Sequence, residues 1–433
     1  MFTRRRLLIS AGALGAFGTM AACGPNADSG DDSGGVRIYW WGGDLRNGMT
    51  REALGLFSES HPDLPVSPEY SEWTGYWDKL ATQTAGGDAP DVIQMDEAYI
   101  DSYGTRGSLL DLESVSDLLD LSDMDEDMLE TGRLADGTLV GAPLGIGIFS
   151  VGVNPDVLDQ AGIEMPDDTT WTWKDFGALC AQVSEWAASA GEDIVGLDFL
   201  GTDAAELGMW ARQSGQQLFP REDETLISKD TITSFLEYAR ELIETDAAPQ
   251  AAAQVEDAAA GVEQGRFATN RSAFHFQFHT QIQTFQASSG SPLKLLRVPA
   301  RTSGDHQMVN KASMYWSISA ATTNPDDSAT LIDFLLRDPE AAKVLKIERG
   351  VTAFPELQTE IESVLTENEM VSLDFARDMQ AEVVRPPLVT PTSGVGFGDE
   401  FSRLAEESFF GNRPPSDVAD EILTQLEGMQ PEA

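Results

Sequence analysis

The stretch Val36-Arg37-Ile38-Tyr39-Trp40-Trp41-Gly42-Gly43-Asp44 decides how this chain is read. Its β-branched and aromatic residues predict a strand, and Gly42-Gly43 end it. A helix follows, because Met49, Ala53, Leu56 and Phe57 fall on one helical face and His61-Pro62 stops it. Val66 to Tyr70 reads as a second strand. Tyr76 to Thr84 reads as a second helix with Gly86-Gly87 past its end, and Asp91-Val92-Ile93-Gln94-Met95 as a short buried strand. Strands alternating with helices predict an α/β fold, a sheet layered with helices. Ligands of such sheets lie beyond the carboxyl ends of the strands. Trp40-Trp41-Gly42-Gly43-Asp44 and Met95-Asp96 mark two of those ends.

Outward from this block, a second α/β region begins near Gly145. Thr172 caps a helix whose apolar face is Phe176, Leu179, Val183 and Trp186, with Cys180 beside it as a buried structural thiol. Asn324-Pro325-Asp326 starts a helix with Ile332, Leu335 and Leu336 inward, and Asp338-Pro339-Glu340 starts another. The acidic run Asp117 to Glu130 reads as a solvated helix and loop. Phe274-His275-Phe276-Gln277-Phe278-His279 alternates strictly and reads as a strand with its phenylalanines toward the core. His275, Gln277 and His279 then form either a plain polar face or a row of hydrogen-bonding groups lining a cleft.

The 433 residues suggest two to three domains at roughly 150 residues each. Asp and Glu number 72 against 28 Lys and Arg, a formal charge of −44. Such a surface repels phosphate backbones and acidic headgroups, so no nucleic-acid partner is expected and membrane attachment needs a dedicated anchor. At the amino end, Thr3-Arg4-Arg5-Arg6-Leu7-Leu8 resembles a twin-arginine export signal. Leu7 to Ala22 is shorter than the ~20 apolar residues of a spanning helix and carries Gly12, Gly15 and Gly18. Met20-Ala21-Ala22-Cys23 resembles a bacterial lipobox, with Met where Leu is usual. Cleavage before Cys23 would make it the lipid-bearing amino terminus, and polar residues 24–35 a flexible tether. An uncleaved anchor is the alternative; both place the folded part outside the cytoplasm. Cys23 and Cys180 are too few for a disulfide framework.

Motifs for catalysis are missing: there is no phosphate loop, no G-x-S-x-G elbow and no H-E-x-x-H pair. Asp123, Asp125 and Asp127 mimic a calcium loop, but Met128 and Leu134 stand where Gly and Glu are needed. On a strand His275 and His279 lie ~13 Å apart, too far to share a metal. No metal or cofactor is expected.

The ordered set of local motifs carries a family likeness. Trp40-Trp41-Gly42-Gly43-Asp44 is followed by Phe57-Ser58-Glu59-Ser60-His61-Pro62-Asp63, Trp73-Thr74-Gly75-Tyr76-Trp77-Asp78-Lys79-Leu80 and Ala85-Gly86-Gly87-Asp88-Ala89-Pro90-Asp91-Val92. Tyr103-Gly104-Thr105-Arg106-Gly107-Ser108-Leu109-Leu110-Asp111-Leu112 closes the block. Further on come Gly141-Ala142-Pro143 leading into Val153-Asn154-Pro155, then Trp171-Thr172-Trp173, Asn324-Pro325-Asp326 and Glu348-Arg349-Gly350. This set resembles the family 1 extracellular solute-binding proteins, the binding components of carbohydrate ABC importers, a group that includes maltose-binding protein. The resemblance implies a two-lobe periplasmic-binding-protein-like fold of type II with hinge-connected lobes. Residues 1–35 would be signal and tether, 36–145 plus 320–375 one lobe, and 146–319 plus 376–433 the other. It implies a monomer without catalysis that closes over a sugar and presents it to ABC permease subunits.

A pyranose needs flat aromatic surface for its C–H face and fixed polar groups for its hydroxyl rim. Trp41 and Asp44 follow the first strand, Glu72 and Trp73 the second, and Asp96 and Tyr99 the third. The resemblance adds Gly147 to Phe149, Thr202, Asp203, Trp210, Gln277, His279, Met314 to Trp316 and the loop Thr392 to Phe397. Core packing is the competing role for each Trp, and helix capping for Asp96. Trp171, Trp173 and Trp186 are assigned to helix packing. The number of aromatics favours an oligosaccharide. Two alternatives stay open. One is a receptor of the same fold for another solute such as a glycerophosphodiester or polyamine; a phosphate would need a cleft Arg cluster, for which Arg46 and Arg212 are candidates that a sugar can use too. The other is a secreted carbohydrate-active enzyme.

Overall fold

A computed structural model describes residues 35–430; the export signal and Cys23 lie outside them. Val36–Trp41 forms β1, buried along nearly all its length. A run apolar on both faces needs strands beside it and helices above and below. These follow in order: α1 (Asp44–Ser60), β2 (Val66–Ser71), α2 (Trp73–Gly86), β3 (Val92–Met95) and α3 (Glu97–Gly104). β1 pairs in parallel with β2 on one side and β3 on the other. The first two helices start earlier than their apolar periodicity predicts, at Asp44 and Trp73, because their first turns are largely exposed and carry no apolar stripe. The acidic run resolves into turns and the short α4 (Glu126–Glu130), with Met124 and Met128 packed inward. The two-residue β4 (Ala142–Pro143) follows.

The second lobe is built on β5 (Ile146–Val153), whose company is α5 (Pro155–Ala161), α6 (Trp173–Ala190), β6 (Val195–Leu197), α7 (Ala204–Arg212), α8 (Lys229–Glu244), α9 (Ala251–Ala260), β7 (Ser272–Phe278), α10 (Ile282–Ser289), β8 (Lys294–Leu296) and β9 (Asn310–Ala312). Its sheet runs β6-β7-β5-β8, and β9 pairs with the first residues of β5. Thr172 caps α6 through a reciprocal bond with Asp175. The buried stripe of α6 is Phe176, Cys180, Val183 and Ala187, so Cys180 lies within the apolar face, and burial pushes its thiol pKa well up.

The chain then returns to the first lobe with β10 (Tyr315–Ile318), α11 (Pro325–Arg337), α12 (Pro339–Leu345) and α13 (Pro355–Ile361). It ends with α14 (Glu367–Met379), α15 (Phe397–Phe409) and α16 (Pro415–Gly428). The first sheet is thereby β2-β1-β3-β10-β4. Two boundaries expected from sequence move. The return falls at Ser313-Met314, before residue 320, because β10 pairs antiparallel with β3 and β4. The final switch falls before α14, not after residue 375, because α14 packs on α10 and β8 of the second lobe.

Between the lobes three passages of chain touch. Ile146 N–H donates to the Val351 carbonyl at 2.6 Å, and Ser313 N–H to the Gly145 carbonyl at 2.9 Å. Gly350 sits at φ +105°, where a Cβ would stand 2.8 Å from Ser313 Oγ. Only glycine meets both the conformation and the close approach. Beneath this crossing the Arg349 guanidinium donates to Gln94 Oε1 at 2.9 Å and Thr50 Oγ1 at 2.8 Å, and lies 5.5 Å over the Trp316 ring.

Candidate functional site

The edge of the first sheet that faces the second lobe carries two distinct surfaces. One is an aromatic platform. Trp41, at the end of β1, meets Trp73 and Tyr76 edge-on at 5.2 Å and Trp77 at 5.6 Å. Trp77 stacks on Tyr99 at 3.9 Å. The tight turn at Gly42-Gly43 and the start of α2 straight after β2 bring these rings together. Trp41 is 7% exposed and Trp73 44%, so Trp73 presents the open ring.

The other surface is a cavity of about 340 Å³, within the 300–1,000 Å³ usual for small-ligand sites. The first lobe contributes Glu97 and Ala98 at the start of α3, Thr131, and Tyr315 at the start of β10. The second lobe contributes Phe149 of β5, Phe278 at the end of β7, Asn310 and Lys311 of β9, and one face of α7. That face is Asp203, Ala204, Ala205, Gly208 and Arg212, small residues at helical spacing with a cation at the far end. Segments 217–219, 386–390 and 394–398 close the cavity, including the rings of Phe219 and Phe397.

Local bonds explain this arrangement. Asp96 caps α3 by accepting the Ala98 N–H at 3.0 Å, which turns Glu97 toward β9. Glu97 lies 3.4 Å from Lys311 Nζ and accepts the Thr390 N–H. Burial alone would raise the Glu97 pKa, but Lys311 and Thr390 outweigh it and hold it below the usual glutamate value. Burial would lower the Lys311 pKa, but Glu97, Asp96 and Asp203 keep it raised, so both groups are charged at neutral pH. Asp101 accepts the backbone and hydroxyl of Thr392, each at 2.7 Å, and so ties the 386–398 segment to α3. Asp203 and Glu206 form a capping box at α7, which orients its small face.

Among the described residues, two buried polar atoms on cavity-lining residues, Arg212 Nε and Asn310 Oδ1, have no hydrogen-bond partner and are closed off from solvent. The lining is mainly apolar, and five aromatic rings, Phe149, Phe219, Phe278, Tyr315 and Phe397, belong to it. A ligand with a flat apolar face and a rim of hydroxyls matches such apolar walls interspersed with polar side chains.

Of the residues singled out from sequence, the structure brings Phe149, Asp203, Arg212, Tyr315 and the Gly394 to Phe397 part of the late loop to the cavity. Trp41, Trp73 and Tyr99 form the platform. Asp44 opens α1 on the surface, Glu72 holds the N-cap position of α2, and Asp96 is occupied in capping. Others lie elsewhere. Trp210 is on the opposite side of α7 from Gly208 and Arg212, packed on Trp173, Phe235 and Tyr238, with Nε1 donating to Ser234 at 3.0 Å. Trp316 is a core ring under Arg349, and Met314 lies at the crossing with its sulfur 3.8 Å from Arg46 Nη1.

The alternation of the strand holds, with Phe274 and Phe276 in the core against Trp171, Trp173 and Phe176, but its polar face is buried and does not line the cleft. Phe278 faces the cavity, whereas Gln277 and His279 are buried on the far side. There Phe267 and Phe285 cover His275, and Phe375 approaches His279. His279 Nδ1 accepts the Ile148 N–H at 2.9 Å, and burial pushes its pKa down to about 3. His275 pairs with Asp198 at 3.0 Å. Sequence reasoning missed Glu97, Lys311, Asn310 and Phe278 as lining residues. The small-residue spacing Ala204, Ala205, Gly208, Arg212 is the one local signal that could have found the α7 wall.

Residues 53–369 match the family model described as bacterial extracellular solute-binding protein. An uncharacterized lipoprotein in the oleD 5' region of Streptomyces antibioticus is 26% identical over 301 residues, 66% of this chain and 63% of that one. A lactose-binding protein of Rhizobium radiobacter is 25% identical over 201 residues, 45% of each chain. The match thus spans less than two thirds of either relative. In fold, the chain is similar to a periplasmic oligogalacturonide-binding protein of Yersinia enterocolitica solved with saturated digalacturonic acid. The TM-score is 0.74 at 22% identity, covering 92% of this chain and all of that one.

Proposed function

This chain belongs to the bacterial extracellular solute-binding proteins, and from that premise we propose that it is the sugar receptor of an ABC importer, holding an oligosaccharide between its lobes. The observation that carries the reading is the cavity: both lobes line it, its walls are mainly apolar with the rings of Phe149, Phe219, Phe278, Tyr315 and Phe397 among them, and the charged groups of Glu97, Asp203, Arg212 and Lys311 stand in the same lining. The platform of Trp41, Trp73, Trp77 and Tyr99 continues from α3 along the same sheet edge, so a second sugar unit would stack there. Trp73 and Tyr99 would contact it, with Phe149 and Asp203 acting in the cavity. The lactose-binding and oligogalacturonide-binding relatives support a saccharide ligand. Lipidation at Cys23 would hold the receptor at the outer face of the cell membrane, beside the permease that takes the loaded form; the Streptomyces lipoprotein supports that placement.

No bond of the sugar is made or broken. Glu97 is held ionised by Lys311, which disqualifies it as a proton donor at neutral pH. The test is a thermal-shift screen of the purified chain against mono- and oligosaccharides, followed by mass spectrometry of the ligand. A ligand at 100 times its Kd stabilises by about 2.7 kcal/mol and should be recovered intact. A protein stabilised by glycerophosphodiesters or polyamines and by no sugar, or a sugar recovered cleaved, contradicts the reading.

A further inference from the structure

The sugar-receptor reading leaves the class of sugar open, and one side chain narrows it. In a chain of −44 formal charge, a buried guanidinium should find a carboxylate with ease. Arg46, Arg266 and Arg297 do so, at 2.8, 3.0 and 3.2 Å. Arg51, Arg106, Lys174, Lys294 and Arg301 have none within 4.0 Å among the described residues, and all five are exposed to solvent. Arg212 has none either, yet it is partly buried, lines the cavity, and has its Nε shut away from solvent without an acceptor. Burial pushes its pKa down to about 10 with no carboxylate offsetting the effect, so it stays charged at neutral pH.

The surroundings of Arg212 leave the charge to be met from outside. One turn earlier, Gly208 presents only backbone; a Cβ there would lie 3.6 Å from Arg212 Nη1. The other charged groups of the lining are already matched. Lys311 faces Glu97 at 3.4 Å, and Asp203 accepts the Ala205 N–H at 2.8 Å at the positive end of α7. Arg212 is thus the one charged lining group with neither an opposite charge within 4.0 Å nor a hydrogen-bond partner among the described residues. A desolvated, unpaired cation is unfavourable in a receptor and gains most from a ligand that brings the missing charge. A carboxylate supplies one unit, and its two oxygens fit the guanidinium fork. A phosphate monoester brings about −1.5 to −2 and would be left in excess. The strongly acidic surface opposes a polyanion, so a single acidic unit suits the site better than a run of them.

We propose that the cavity selects a sugar acid, a uronic-acid residue whose carboxylate is taken by Arg212 while the aromatic lining receives its ring.

Titration calorimetry of the purified full chain tests this, using D-glucuronate, D-galacturonate, their uncharged methyl esters, the parent hexoses, and disaccharides with and without one terminal uronate. The acids should bind at least tenfold more tightly than matched esters and neutral sugars. Arg212→Gln should weaken the acids by roughly tenfold to a hundredfold and erase that preference, and Arg212→Lys should restore part of it. Melting curves of both variants establish that they are folded. Neutral sugars binding as tightly as acids, or Arg212→Gln weakening both alike, overturns the sugar-acid inference and leaves the receptor reading standing. If neither acidic nor neutral sugars bind the wild-type chain, both fall.

Discussion

The aromatic platform and the cavity occupy neighbouring stretches of one sheet edge, yet they are built by opposite means. The platform belongs to the first lobe alone, and its rings hold each other: Trp41 is covered by Trp73, Tyr76 and Trp77. The cavity exists only where the two lobes meet, and its ion pair joins one lobe's Glu97 to the other's Lys311 while Arg212 is left without a partner. A surface complete within one lobe can stack a sugar without any motion. A surface divided between lobes would gain its contacts only as they come together, and in the receptor proposed above that differential would drive closure. The contrast assigns affinity for chain length to the platform and commitment to closure to the cavity.

The largest effect should come from Trp41→Ala. Trp41 is 7% exposed and nested among three other rings, so its loss should destabilise the fold by about 3–5 kcal/mol in chemical denaturation. A small loss would show the platform to be loosely packed. Phe278→Ala and Trp73→Ala then separate the two surfaces. Removing the cavity ring should weaken every ligand, mono- or oligosaccharide, by roughly thirtyfold to a hundredfold. Removing the exposed platform ring should weaken only the longer ligands, by about tenfold. Calorimetry showing equal losses for both variants at every chain length would break the distinction.

The smallest effect concerns Glu97. Its pKa is lowered in the folded protein, so its contacts with Lys311 and Thr390 are in place above the ordinary value of 4.5 and are lost as pH falls through its lower folded value. Ligand affinity should therefore stay level from about pH 8 to pH 5 and drop below that window. Glu97→Gln should cost less than about fivefold in affinity at neutral pH, since Lys311 is partly exposed, and should blunt the acid limb. An affinity that falls steadily between pH 8 and pH 5 would assign the titration to another group.

The first lobe was legible because β1 and β3, buried on both faces, leave continuous apolar runs. β1 also ends in a glycine pair with two tryptophans before it, so both the strand and its ligand-facing end could be read. The second lobe was legible as elements but not as faces. The alternation from Phe274 to His279 identifies β7, but nothing local tells that Phe267 and Phe285 cover His275. Trp210 entered as a cleft aromatic through the resemblance alone; the helical rotation between it and Arg212 sends the ring into the core and the cation to the cavity. Lys311 lies on a three-residue strand with no period to read, and Glu97 is one carboxylate among 72 acidic residues. Their pairing is a product of the chain crossing, visible only once the lobes are assembled.

Closure itself is the central claim, and small-angle scattering measures it directly. The purified chain, with and without a ligand identified by the thermal-shift screen, should show a smaller radius of gyration when bound. Phe278→Ala at saturating ligand should close less completely, and Trp73→Ala should close as the wild type does. A radius unchanged by a saturating ligand would contradict a site divided between two moving lobes.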